Sequence, residues 1–287
     1  MGFLDKLFNK TKTNKEDSKK SSSSMSNTNT IYVNDSFSYL GNGKCSRALD
    51  ELAKINIQEA DEAFKKCKKE LLDVFMKDNN FIKYKTNAYI RLNNIGLIEY
   101  INLQKEAHGS RTFTLNVCVL PIYVPHDIFT IGFGDRIGIL INGKDFWWDY
   151  KDLITSEKSF KNIIQALELV IFPWFEQYNS EDKYQNDLFN EVGTIGNSRI
   201  KWITYLYIKN DEREKAKNYL NQYLNFDSLN QERIVNDLVQ LLDSSKTNEE
   251  ILNEAISYNV DRYKLSKTLN KNIMVQFNRK VTIMSEE

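Results

Sequence analysis

Apolar residues recur at three- and four-residue spacing through much of this chain, but between Phe81 and Tyr150 the period falls to two. A sheet uses that alternation and a helix cannot. Upstream, Ala60, Ala63, Phe64, Cys67, Leu71, Val74 and Phe75 define the apolar face of a helix predicted over Gln58 to Met76. A shorter helix is expected over Ser46 to Leu52, and Asp78-Asn79-Asn80 stops the long one. Four strands follow, Phe81 to Lys85, Ala88 to Leu92, Leu97 to Gln104 and Thr112 to Leu120, broken by Asn93-Asn94-Ile95-Gly96 and by His108-Gly109-Ser110. Turns this short predict an antiparallel meander.

Alternation also sorts side chains by face. Phe113, Leu115, Val117 and Val119 share one side of the fourth strand, while Thr112, Thr114, Asn116 and Cys118 share the other. One face must meet the helical core, leaving Tyr100, Asn102, Gln104, Thr114 and Asn116 on the second. That polar face is a candidate binding surface; the competing account is the ordinary wet side of an antiparallel sheet.

Beyond Pro121 and Pro125, glycines punctuate the chain at 132, 134, 138 and 143. GFGDRIG carries one residue too many for a dinucleotide fingerprint, and no helical pattern opens there. Asn142-Gly143, between Ile139-Leu140-Ile141 and Phe146-Trp147-Trp148, predicts a hairpin. Asp135, Asp145 and Asp149 are candidate carboxylates, and Arg136 can pair with one of them or grip an anion. A structural ion pair is the blander account. In a strand Trp147 and Trp148 face opposite ways, one toward the core and the other over the sheet or a partner. A covering helix is predicted over Lys158 to Tyr178, kinked or ended at Pro173. Further helices are expected at Ser198 to Lys209, Glu212 to Leu224, Asn230 to Leu242 and Asn248 to Tyr258, without the fixed period of a solenoid.

The ordered pieces FIKYKTNAYIR, IEYINLQKEAHGSRTFTLNV, DRIGILINGKDFWWDY and the helix ending in FPWF resemble the bacterial family catalogued as domain of unknown function 4304. The family's pattern falls on Asn102, Leu103, Gln104, Phe113, Leu115, Asn116, Arg136, Gly138, Trp147 and Trp148, within a resemblance spanning about Ala60 to Tyr178. Where relatives commonly carry a glycine after the first helix, this chain has Asn80. The resemblance implies an α+β fold and a bacterial source, and it brings no catalytic residues.

Composition narrows the function. Lysine plus arginine and aspartate plus glutamate each number 39, so there is no basic field for nucleic acid, and no nucleic-acid partner is expected. Three unpaired-looking cysteines suit a reducing compartment, and no apolar run approaches a membrane span. The two histidines, His108 and His126, read as loop residues with no second ligand at metal spacing, so neither metal nor cofactor is expected. No GxSxG, HExxH, P-loop or kinase set occurs.

Phe3, Leu4, Leu7 and Phe8 lie on one side of a short helical stretch rich in lysine, a candidate for weak membrane contact against the plainer account of a solvated tail. No secretion signal is legible there. A polar linker follows to Thr30. The expectation is therefore an α+β protein: a tail over 1–30, a domain over 31–180 in which a helix precedes an antiparallel meander and a covering helix follows, and an all-helical C-terminal lobe over 181–287. The expected location is cytoplasmic, or peripheral at the inner face of the membrane. The leading functional expectation is a non-enzymatic module that binds another protein, in its concrete form a toxin that it neutralises. The alternatives are an enzyme or binder of a nucleotide or sugar through Arg136, Asp145 and Asp149, and a membrane-surface adaptor.

Overall fold

The computed structural model describes residues 56–107, 110–126, 133–190, 198–223 and 229–265, with side chains from 232 onward in the last segment. The tail with Phe3, Leu4, Leu7 and Phe8, the helix expected at Ser46 to Leu52, and His108 lie outside the described residues.

Helix α1 (Ile57–Cys67) starts at Asn56, whose side chain accepts the Glu59 N–H, as a capping residue should. A wide π-helical turn (Lys68–Leu72) joins it to α2 (Asp73–Asp78). Asn80 then adopts a left-handed φ of 63°, which asparagine tolerates, and turns the chain into the sheet. Strands β1 (Ile82–Lys85), β2 (Ala88–Leu92), β3 (Leu97–Lys105) and β4 (Thr112–Pro121) form the expected antiparallel meander. In the Asn93 turn, the side-chain oxygen accepts the N–H groups of Ile95 and Leu97 and the amide nitrogen donates to the Tyr178 carbonyl. One asparagine thus closes the turn and pins the end of a helix to it.

The next segment departs from expectation. Strand β5 (Phe133–Arg136) pairs with β4, and the chain then leaves the sheet as α3 (Ile137–Asn142) before returning as β6 (Trp148–Asp149), also on β4. Ile139-Leu140-Ile141 is therefore helical, and Asn142-Gly143 is no hairpin. Gly143, at φ 75°, ends the helix in the left-handed conformation, and its N–H donates to the Ile139 carbonyl. The same Asn-Gly signal serves both turns, and a helix of apolar residues docked on the sheet edge buries Ile137 where a two-stranded ribbon would leave it exposed. A short helix thus does open within GFGDRIG, at Ile137. Gly138 lets the excursion close on itself, since a Cβ there would stand 2.5 Å from that of Phe146.

Helix α4 (Leu153–Ala166) opens with an Asp152/Thr155 capping box, five residues before the predicted start. A second π-helical turn (Leu167–Ile171) leads into α5 (Phe172–Gln177). Pro173 does not end this helix; the widened turn accommodates the missing N–H and the ring that would meet the Leu169 carbonyl. The two π-bulged helices pack over one sheet face. There Phe64 meets Phe113 at 5.1 Å and Phe160 at 5.3 Å, and Phe75 stacks on Phe172 at 5.5 Å. The fully buried rings among these, Phe64, Phe113 and Phe160, each contribute about 1.5–3 kcal/mol.

The C-terminal region comprises α6 (Glu181–Phe189), not foreseen from the sequence, then α7 (Ser198–Lys209), α8 (Arg213–Asn221), α9 (Leu229–Asp243) and α10 (Asn248–Arg262). Trp202 of α7 packs on Phe133 at 5.6 Å and on the His126 ring at 5.6 Å. His126, expected as an ordinary loop residue, is buried. Its backbone N–H donates to Asn259, whose amide in turn donates to the carbonyls of Ile122 (2.7 Å) and Val124 (2.6 Å). One buried side chain from α10 thereby satisfies three main-chain groups of the loop leaving β4.

Candidate functional site

The sheet has a helix-covered face and an outer face, and the register assigns every residue to one of them. Across β2, β3, β4 and β5, the pairs Ala88/Asn102, Asn102/Asn116 and Asn116/Arg136 line up in one row on the outer face. Gln104 opposes Thr114 in the adjacent row, and Thr112 opposes Asp149 beyond it. Adjacent strands stand about 4.8 Å apart, so these side chains form a continuous polar field.

Only half of that face is open. Ile98, Tyr100, Cys118 and Leu120 are buried, whereas Asn102, Gln104, Thr112, Asn116 and Arg136 are partly exposed. Burial pushes the Cys118 thiol up to about 12, so it stays protonated and unreactive. In the open half, the Asn116 amide donates to Gln104 Oε1 at 2.9 Å. Thr114, directly opposite Gln104, is fully buried, and its hydroxyl has no hydrogen-bond partner.

At the corner of the field, Arg136 donates to Asp145, and the Trp147 indole N–H donates to the same carboxylate oxygen at 3.2 Å. The guanidinium carbon lies 4.9 Å from the centre of the Trp147 ring, so cation, aromatic and anion form one clasp. Trp148 is placed elsewhere. It pairs with Phe113, is buried against Phe146 at 4.6 Å, and donates to Asn162 of α4 at 3.1 Å.

The candidate carboxylates, Asp145 and Asp149 of the nucleotide or sugar alternative and Asp135 beside them, are engaged one by one. Asp145 is held in the clasp, Asp149 has Lys151 at 3.5 Å, and Asp135 accepts the Arg136 N–H and faces the other way in β5. Among the described residues, no group of three or more His, Cys, Asp or Glu is arranged to hold a metal ion. A depression of about 410 Å³ runs along α4, lined by Ile154, Glu157, Lys158, Lys161, Asn162 and Gln165. Their spacing is that of one helix surface.

Two charged clusters on the helix-covered face were missed. At the first π turn, Asp73 accepts from Lys68 (2.9 Å), Lys83 (2.6 Å) and Tyr89. The widened turn sets residues five apart side by side, which brings Lys68 onto Asp73. Burial works against the Asp73 charge, but the three donors outweigh it and hold its pKa below the usual value. Burial likewise lowers the pKa of Lys68, partly countered by Asp73. In the second cluster Arg91 of β2 opposes Glu99 of β3 and bonds to it. Burial raises the Glu99 pKa, against the bond from Arg91. A charged residue inside an apolar strand, Arg91 in AYIRL and Glu99 between Ile98 and Tyr100, was the legible signal.

Fold and site together define an α+β protein with an open, six-stranded antiparallel sheet and a half-open polar face. Residues 74–177 match the family model described as a domain of unknown function (DUF4304), the family the sequence resembles. That match runs from α2 through the sheet and the α3 excursion to the end of α5. No curated protein and no solved structure matches the chain. Among the described residues no helix is long and apolar enough to cross a membrane.

Proposed function

We propose that this chain is a non-enzymatic protein-binding module and that its docking surface is the open half of the outer sheet face. The observation that carries this reading is the row of Asn102, Asn116 and Arg136 on three adjacent strands, partly exposed and flanked by Trp147. Main-chain ladders fix these side chains in one plane, which suits a broad protein partner better than a small molecule needing enclosure. An arginine and a tryptophan at the rim are the residue types that anchor such interfaces. The concrete form of the proposal is neutralisation: the bound protein is a toxin whose working surface the sheet face covers.

The test is capture from a lysate of the source organism with the full chain and with an Asn102→Lys/Asn116→Lys variant matched for urea stability. A protein held by the first and lost by the second is the expected result; a captured set indifferent to the variant would overturn the assignment of the surface. Expressed alone, the captured protein should arrest growth and co-expression should restore it. Growth unaffected by that protein would remove the toxin form and leave the binding module standing.

A further inference from the structure

The geometry points to a carboxylate receptor at the corner of the outer face, built from Arg136, the Trp147 indole and Thr114, in which Asp145 stands in for an acidic side chain of the partner. This inference rests on the protein-binding reading above and names the chemistry of its partner, an acidic peptide segment.

Both N–H donors of the clasp converge on one oxygen of Asp145, the arrangement in which a carboxylate is gripped rather than merely neighboured. Yet the pair is exposed, with side-chain accessibilities of 33% for Arg136 and 39% for Asp145, and exposed ion pairs contribute little to stability. Asp145 sits just past the left-handed Gly143, in the segment that returns the chain from α3 to β6. An incoming carboxylate can therefore replace it without disturbing the sheet. Once Asp145 is displaced, the Arg136 guanidinium is left without its carboxylate, and the exposed Lys144 next to Asp145 in sequence adds positive charge that favours an acidic arrival.

Thr114 supplies the second, independent observation. Trp148 pairs with Phe113 and Asp149 with Thr112, so alternation sets Trp147 beside Thr114 on the outer face. The Thr114 hydroxyl is fully buried and unpartnered, and a native buried hydroxyl in that state calls for an explanation. In the receptor, release of Asp145 frees Trp147, and that hydroxyl serves an acceptor on the partner.

The probes are the peptide acetyl-GEDEEG-amide and its uncharged counterpart acetyl-GQNQQG-amide, titrated into the full chain while the Trp147 indole N–H resonance is followed by NMR. The acidic peptide should shift that resonance and bind Asp145→Ala about threefold more tightly than wild type, the gain expected when a weak internal competitor is removed. Arg136→Gln should abolish the shift, and Thr114→Val should weaken binding about threefold while leaving folding intact. Equal response to both peptides, unchanged affinity in Asp145→Ala, or a shift that survives Arg136→Gln would overturn the receptor. If lysate capture persists in Arg136→Gln and the acidic peptide is inert, protein binding stands and the receptor falls; capture of nothing by the wild type sinks the binding reading itself.

Discussion

Two arginines of this sheet hold a carboxylate beside an aromatic ring, and they differ in the burial of that carboxylate: Glu99 is 1% exposed and Asp145 39%. Arg91 lies over the rings of Phe81 (4.5 Å) and Phe172 (5.6 Å), donates to the Asn79 carbonyl at 3.2 Å, and bonds to Glu99, which is 1% exposed. Arg136 lies over Trp147 and bonds to Asp145, with both partners in reach of water. The chemistry is the same; burial decides its consequence. Beneath α5, removing Arg91 strands the buried Glu99 charge in a medium that cannot solvate it, and removing Glu99 leaves Arg91 with only the exposed Glu176 at 3.7 Å. On the outer face, water and salt compensate the loss, and the arginine stays available to another anion.

The sharpest way to break the comparison is Glu99→Ala. It should cost about 3 to 4 kcal/mol, read as a lower urea midpoint at unchanged slope, because Arg91 loses its short bond to a buried carboxylate and keeps only the exposed Glu176 at 3.7 Å. A Glu99→Leu/Arg91→Met double replacement should recover most of that loss, since no charge is then stranded. Asp73→Asn comes next, at about 3 kcal/mol, because Lys68 loses the partner that offsets its burial.

Asp73 also sets an acid limb. Its folded pKa lies below the ordinary value of 3.8, so as pH falls the unfolded chain takes up the proton first and stability declines from about pH 4 downward. Asp61 adds to the same limb, held low chiefly by the hydrogen bond from Lys105 and opposed by burial. Glu99 has the opposite sign. Its raised pKa lets the folded state bind the proton first, so above the ordinary value of 4.5 its contribution falls as pH rises. A urea series from pH 3 to 6 should therefore show a flatter acid limb in Asp73→Asn than in wild type.

Asn259→Ala should cost about 2 kcal/mol by leaving the Ile122, Val124 and His126 main-chain groups without their partner, and hydrogen exchange of that loop should quicken. The smallest effect belongs to the exposed clasp. Asp145→Ala should change stability by no more than about 0.5 kcal/mol, and by less still at high salt, in contrast to Glu99→Ala at any ionic strength.

Much of this architecture was legible because it is local. The period of two in TFTLNVCVL named β4 and its faces, and the apolar stripe from Ala60 to Phe75 named α1 and α2. The misreadings fell where one local signal serves two structures. Asn142-Gly143 suits a hairpin and a helix end equally, and Ile139-Leu140-Ile141 carries no period to separate strand from helix. Pro173 reads as a breaker because the accommodating π turn has no signature of its own.

By itself, then, the sequence determined the order and type of most elements, the apolar and polar faces of β3 and β4, and the resemblance that the match over 74–177 bears out. It also placed the candidate polar residues on one side of the sheet. Only the tertiary structure decided that Asn102, Asn116 and Arg136 share a row, that Arg136 meets Asp145 while Arg91 meets Glu99, and that Trp148 turns inward while Trp147 stays at the rim. The reason is range. Periodicity is set by neighbours within a turn or a pleat, whereas strand register and the burial of each ion pair follow from packing between residues far apart in the chain.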